Sequence, residues 1–527
     1  MRADDTIIHI GSLAISLLPF LVSVREGASQ GVTGPYKLLP SHSTFQALYG
    51  AHCRVADLDR DGANELIFCK PYMPSAGQGG GPLFLQPDGS GRFHERACVL
   101  VGHPTGTLYL GTSTTVAVGD VNGDGWIDVV SPQFFGSGCP PMVFLNDRTG
   151  TPRYHPNSGM DALGVTSNGA ELIDVDGDGD LDLFLFNQLG VQDRLLLNDG
   201  TGRFTDVSAT HLPAMLDDTL WVAAADVDGD GDQDLVVAVR HQPVLVLSND
   251  GTGRFSVSQQ LPVVNANFLR LGDLDGDGFP DAYVSTGPMQ HDVLLRNDGT
   301  GRLHDHSFVL PFSASSSFTP VEMHDLDRDG RLDIVLGRPS GLPNAPWPTV
   351  WRNEGSWRFT DISAQIHRSE ITGQRYHLWL AITDADRDGD EDLVVGFGEY
   401  APAPPLPGPG GRILFNLTRQ IEAPATIAIG STFSATAHAR RERVVFPFLG
   451  LTRRDVTIPG LGSFGLDPLG VVALPPVPIG TAGSTAFGFP IPGDPSLRGR
   501  DFHLQGIDAG GSPLTAVPTS WTTTRIQ

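Results

Sequence analysis

Asp226-Val227-Asp228-Gly229-Asp230-Gly231-Asp232-Gln233-Asp234-Leu235-Val236-Val237 is the stretch that decides how this chain is read. Acidic residues alternating with glycine favour neither helix nor strand, so the first nine residues read as a tight loop. The β-branched run that closes the stretch reads as a strand, and Trp221-Val222-Ala223-Ala224-Ala225 supplies another ahead of it. The pattern D-x-[DN]-x-D-G-x-x-[DE], followed by apolar residues, occurs seven times, beginning at Asp57, Asp120, Asp174, Asp226, Asp273, Asp325 and Asp384. Successive starts are 63, 54, 52, 47, 52 and 59 residues apart. That is room for four short strands and their turns, the size of one blade of a β-propeller.

The rest of each repeat fits. A third apolar run ends in a turn and an aromatic strand, as in Leu195-Leu196-Leu197-Asn198-Asp199-Gly200-Thr201-Gly202-Arg203-Phe204. Similar turns begin at Asn249 and Asn297, with looser versions at Asn146 and Asn353. No helix follows these glycines, so they join strand to strand and do not cradle phosphate. The seventh repeat lacks its fourth strand, whereas Gly34-Pro35-Tyr36-Lys37-Leu38-Leu39 is a strand without a blade. The chain's first strand is therefore expected to complete blade seven and close the ring, which leaves no open sheet array.

Calcium takes six to eight oxygen ligands, and each loop offers carboxylates or an amide at positions one, three, five and nine with the carbonyl of position seven. The first loop provides Asp57, Asp59, Asp61 and Glu65 with Ala63, and the second Asp120, Asn122, Asp124 and Asp128 with Trp126. The third provides Asp174, Asp176, Asp178 and Asp182 with Asp180, and the fourth Asp226, Asp228, Asp230 and Asp234 with Asp232. The fifth provides Asp273, Asp275, Asp277 and Asp281 with Phe279, and the sixth Asp325, Asp327, Asp329 and Asp333 with Arg331. The seventh provides Asp384, Asp386, Asp388 and Asp392 with Asp390. An EF-hand would need a Glu at position twelve and flanking helices. Position twelve is Phe68, Ser131, Leu185, Val237, Val284, Leu336 or Val395, so that reading fails. Carboxylates this close repel unless a cation sits among them, and up to seven Ca²⁺ are expected.

On these loops, residues 50–417 resemble the FG-GAP and VCBS-type repeats of integrin α-subunit propellers and of many secreted bacterial proteins. The resemblance implies an all-β, seven-bladed propeller with calcium in hairpin loops and a role in adhesion or ligand binding. Asn122 and Glu65 depart from the acidic pattern and argue against equal affinity across the seven loops.

The 527 residues carry a net charge of −25, from 60 acidic and 35 basic side chains. All but one of the side-chain ligands named above are acidic, and the remaining charges nearly balance. Seven divalent cations would bring the chain from −25 to about −11. An acidic surface excludes nucleic acid as a partner. Residues 7–24 form an apolar run, read by preference as a secretion signal within residues 1–30, against an uncleaved anchor or a buried strand. Membrane association is expected only through that segment. Cys53 and Cys69 flank the first loop symmetrically, which leaves a disulfide and two buried thiols both open.

The expected domains are residues 31–417, the propeller, and 418–527, a small β-sandwich-like domain rich in Pro, Gly and Thr. Within the latter, the stretch from Ile491-Pro492 through Leu497 to Phe502 resembles β-rich terminal modules of large secreted bacterial proteins. Strand parity places the Asp loops and the Gly-rich turns on one face of the ring. The loops on the other face carry Tyr72, Phe134, Phe135, Trp347 and Tyr400, read either as a platform for sugar or peptide or as caps between blades. No catalytic set emerges. The chain is therefore expected to bind an extracellular carbohydrate or protein. The alternative is a secreted polysaccharide-acting enzyme using carboxylates outside the loops, such as Glu322, Glu370 or Glu399.

Overall fold

The structure is a computed structural model. It describes residues 36–38, 52–68, 82–87, 93–96, 115–132, 140–160, 163, 167–188, 190–214, 218–287, 290–311, 320–327, 329–337, 348–363, 376–385, 391–398 and 411–416 of the first part of the chain. Beyond these it describes 421–422, 426–428, 431–438, 444–450, 453–458, 462–466, 471–474, 476–478, 484–490, 501–510 and 515–526. The expected secretion segment, Cys69, Cys98, Cys139 and the five loop aromatics lie outside the described residues, as do Glu370 and Glu399.

The chain separates into a unit at Gly31–Leu417 and another containing Thr418–Gln527. The first consists of seven four-stranded antiparallel sheets. Blade four shows the plan, with strands Thr219–Ala225, Asp234–Val239, Val244–Asn249 and Phe255–Leu261 in sequential order. Its second strand is buried throughout, because it lies inside its own sheet and between neighbouring blades. The innermost strands touch in ring order, and Tyr376–Thr383 of blade seven returns to Cys53–Ala56 of blade one. The ring is closed. Blade seven takes its outermost strand from Tyr36–Leu38, antiparallel to Gly411–Asn416 with Tyr36 opposite Asn416. Phe68 of blade one packs edge-on against Trp379 of blade seven at 4.7 Å, inside one apolar cluster spanning that junction.

Two features of the blades follow from short sequence signals. In blades three, five and six the fourth strand is only three residues long and ends in Asp-x-Ser. The serine hydroxyl of Ser208, Ser307 or Ser363 accepts the N–H of Leu195, Leu294 or Val350 on the third strand and so ends the ladder. In blade one Cys53 stands opposite Phe68 and is a free, buried thiol, which is the second of the two readings the sequence left open. Burial pushes that thiol well above its ordinary pKa, which makes it unreactive.

The axis of the ring is filled. His52 of blade one lies 4.4 Å from the ring of Trp221 in blade four and 4.5 Å from Phe268 in blade five. Blade one stands opposite those two in a seven-membered ring, so the three rings meet on the axis. Bulges at Thr219/Trp221 and Ala266/Phe268 re-aim the two aromatic residues locally. Two residues nearer the Asp loops, Arg54 pairs with Glu171 across blade two, and Arg270 grips Glu322 through bonds of 2.7 and 3.0 Å. The Arg270 guanidinium also stands 5.2 Å over Trp221. Glu322 thus has a place in the ring's internal ion pairing.

The Thr418–Gln527 unit is also all-β. Val444–Gly450, Asp501–Gly510 and Thr515–Ile526 form the centre of its largest sheet, and Thr432–His438 pairs with Ser484–Pro490 in another. Phe433, Phe487 and Leu504 are buried.

Candidate metal loops

Loops one to six are shaped by hydrogen bonds between their own carboxylates and backbone. The position-six glycines of loops one to six have φ near +90°, from +84° at Gly125 to +98° at Gly231, a conformation that penalises any side chain. Their N–H groups donate to the position-one carboxylate, at 2.9 Å for Gly62 to Asp57 and 3.0 Å for Gly231 to Asp226. The N–H of position seven donates to the position-five carboxylate in six loops, for example Asp232 to Asp230 at 3.0 Å and Phe279 to Asp277 at 3.0 Å. These bonds gather the acidic groups on the inside of the turn.

In loops one, four and six, one oxygen from each of positions one, three and five lies within 4.8 Å of the others: Asp57, Asp59, Asp61; Asp226, Asp228, Asp230; and Asp325, Asp327, Asp329. In loops three and five the group is positions one, three and nine, namely Asp174, Asp176, Asp182 and Asp273, Asp275, Asp281. Loop two supplies Asp120 and Asp124 with Asn122, whose side-chain oxygen accepts the N–H of Asp124 at 3.0 Å. In loop seven, Asp386, Asp388 and Asp390 lie outside the described residues.

Position nine does more than face the loop. Glu65, Asp128, Asp182, Asp234, Asp281, Asp333 and Asp392 are almost completely buried. One oxygen of each accepts the N–H of position two, as from Val227 to Asp234 at 3.0 Å. In blades two to six the other oxygen accepts the N–H of an asparagine ending the third strand, at 2.9 Å from Asn249 to Asp234. Burial pushes Asp182, Asp281 and Asp333 up to about 7 and Asp234 to about 6, while those backbone bonds pull the other way. A carboxylate oxygen has two lone pairs, so it can take an N–H and a cation together. A cation would favour the ionised form and offset the cost of burial.

The asparagines themselves were read in the sequence only as turn residues. Their side-chain N–H reaches back to the carbonyl of position two in the preceding blade's loop. Asn146 bonds to Leu58, Asn198 to Val121, Asn249 to Val175, Asn297 to Val227 and Asn353 to Leu274, all at 2.7–2.8 Å. Each of loops one to five is therefore fastened to the next blade. The recurrence of Asn before the Gly-rich turn was the signal for this hook.

The loops differ in their counter-charges. Arg96 bonds Asp59 at 2.9 Å, Arg148 bonds Asp124 at 3.1 Å, Arg296 bonds Asp275 at 3.2 Å, and Arg331 pairs with Asp329. Among the described residues no arginine reaches the first three acidic positions of loops three and four. There burial, followed by the charges of neighbouring aspartates, raises Asp176 and Asp228 above the ordinary carboxylate range.

Five segments of the chain, residues 57–131, 174–237, 226–284, 273–336 and 325–395, match the FG-GAP-like repeat, together more than half of its length. The chain belongs to the FG-GAP-like repeat family. The matched segments run from one Asp loop to the strand after the next, so each FG-GAP-like match spans two neighbouring blades. No curated protein matches the chain. Among solved structures, fructan 1-exohydrolase IIa from Cichorium intybus has 10% identity and a TM-score of 0.25, covering 93% of this chain and 91% of its own. A tetra-tandem repeat from the extending region of a large adhesion protein has 10% identity and a TM-score of 0.14, covering 78% and 98%. Scores this low carry no argument about fold or activity.

Proposed function

We propose that the protein is an extracellular, calcium-stabilised propeller that binds a carbohydrate or protein ligand and performs no catalysis. The observation that carries the calcium reading is the convergence of three carboxylates within 4.8 Å in each of five loops. Hard oxygen donors in flexible turns, without sulfur or imidazole, suit Ca²⁺ over transition metals. Loops of this openness, several with an arginine competing for a ligand, fit weak sites that fill where calcium is millimolar, which is outside the cell. Among the described residues no helix is long and apolar enough to cross a membrane. A rigid closed ring whose internal charges are paired leaves its loops and rims for recognition.

Thermal unfolding in calcium and then in excess EDTA tests the metal. One site held at a hundredfold excess over its Kd contributes about 2.7 kcal/mol to the native state, and several sites contribute more. We expect chelation to lower Tm by roughly 5 °C or more. An unchanged Tm, with elemental analysis showing no bound calcium beforehand, would refute the reading.

A further inference from the structure

Blade six breaks a rule that its neighbours keep. The fifth residue of the turn between third and fourth strands is Gly150, Gly202, Gly253 and Gly301 in blades two to five, with φ of +75° to +78°. A side chain there is crowded as well as strained: a Cβ on Gly301 would fall 2.5 Å from the Cβ of Asp228, and one on Gly150 2.3 Å from that of Asp59. Blade six has Trp357 at this place, with φ of +60°, and Ser356 before it at +53°. A bulky residue held in the left-handed region is strained, and such outliers gather where a side chain has work to do.

The indole is held in place. Its Nε1 donates to Asp275 of loop five at 3.0 Å, and the Arg296 guanidinium stands 5.8 Å from its ring. His306, after the fourth strand of blade five, lies 4.6 Å from Trp357 and 4.5 Å from Phe308. Phe308 is 80% exposed, whereas the next most exposed large apolar side chain among the described residues, Val264, reaches 39%. Phe308, His306 and Trp357 thus make a ladder of rings on the rim between blades five and six, with its outermost ring in solvent. Its inner end, Trp357, lies beside loop five through the bond to Asp275.

We propose that this ladder is a binding site for a neutral carbohydrate. The proposal deepens the reading of the propeller as an extracellular ligand-binding module and rests on it. The Arg296 guanidinium beside the ladder is already engaged by Asp275 at 3.2 Å, so it does not call for an anionic ligand. Among the described residues neither ring nitrogen of His306 has a hydrogen-bond partner. Burial, then the nearby Arg296, holds this imidazole below its usual pKa, so at neutral pH it offers one donor and one acceptor. That pair matches sugar hydroxyls, while the C–H face of a pyranose packs on the open Phe308 ring. A proline-rich peptide would seek an aromatic N–H for its carbonyls, and the Trp357 N–H is committed to Asp275.

The test is an array of neutral oligosaccharides probed in calcium with the full chain, followed by fluorescence titration of whichever glycans are retained. Two variants accompany it: Phe308→Ala, which removes an exposed ring, and Trp357→Gly, which restores the residue of the sister blades. We expect both to weaken binding by about tenfold or more, a loss of roughly 1.4 kcal/mol. Tm should be unchanged in Phe308→Ala and unchanged or raised in Trp357→Gly, which separates lost binding from lost folding. Glycans held equally well by both variants would overturn this site and leave the ligand-binding reading standing. Wild-type protein that retains no neutral glycan also overturns it. So would self-association abolished by Phe308→Ala, which would make the ladder an interface between copies.

Discussion

Among the described residues, five of the ring's seven joints are hooked, and the joint between blades seven and one is not. Between blades one to six, an asparagine of each later blade bonds the loop of the one before it, and its side-chain oxygen accepts N–H groups of its own turn, such as Gly253 to Asn249 at 3.1 Å. At the junction of blades seven and one the equivalent residue is Pro87, opposite Phe93, which has no side-chain donor. That junction uses other means. It has the Phe68–Trp379 contact, a 3.3 Å bond from the Asn64 amide to Thr383, and the strand Tyr36–Leu38 that completes blade seven. His52 adds a tie across the axis to blades four and five. The contrast teaches that a repeat can specify joints between successive blades, while the joint that closes the ring needs parts from outside the repeat.

The most severe way to break the comparison is to remove the closing strand. Deleting residues 1–39 exposes the edge of Gly411–Asn416, and we expect a Tm lower by more than 10 °C, with aggregation visible in size-exclusion chromatography. A hooked joint should be hurt less. Asn249→Ala leaves the buried carbonyl of Val175 and two turn N–H groups without partners, for an expected loss of about 2–3 kcal/mol in urea unfolding with calcium present.

The axial tie gives a pH signature. Burial, then the charges of Arg270 and Arg54, holds His52 well below the usual imidazole value of 6.5. Above 6.5 both the folded and unfolded chains carry it neutral, and stability does not depend on it. Below 6.5 the unfolded chain takes up a proton that the ring refuses, so the folded state loses about 1.4 kcal/mol per pH unit until the folded-state value is reached. His52→Phe should remove that slope between pH 6.5 and 5, measured against wild type in the same buffers. An identical slope in both proteins would contradict the assignment.

The smallest effect sharpens the comparison instead of breaking it. Pro87→Asn supplies the missing hook at the closing joint, aimed at loop seven, and should raise stability by about 0.5–1.5 kcal/mol. No gain would show that the geometry of this joint differs from that of the five hooked joints.

Much of this arrangement was legible in the sequence because it is periodic. The seven Asp loops, the strands around them and the strand Tyr36–Leu38 as a partner for Gly411–Asn416 all follow from spacing and from a missing fourth strand. What stayed hidden depends on register or on pairs distant in sequence. Cys53 faces Phe68 because the loop closes with Ala56 opposite Glu65, one residue away from the symmetry the sequence invited. Position nine looked like one more ligand, and its second use, holding the strand-three asparagine, depends on a neighbour 15–20 residues away. The axial cluster joins His52, Trp221 and Phe268 from three repeats, each five residues before its Asp loop, and which of the seven residues at that position meet across the axis depends on the ring and not on the repeat. Trp357 was visible as a departure from glycine, but its meaning came from the ring it approaches in blade five.

The closing strand also sets how the ring answers to force. Tyr36 stands beside Asn416, so chain entering before residue 36 and chain leaving after residue 416 emerge at the same end of one strand pair. Tension between those two points pulls Tyr36–Asn416 apart first, then Lys37–Phe415, then Leu38–Leu414, one rung at a time, as a zip opens. Loaded this way the pair resists far less than if the same rungs were sheared together. The joint that completes the propeller is thereby also its mechanical fuse, set to open while the hooked blades remain intact.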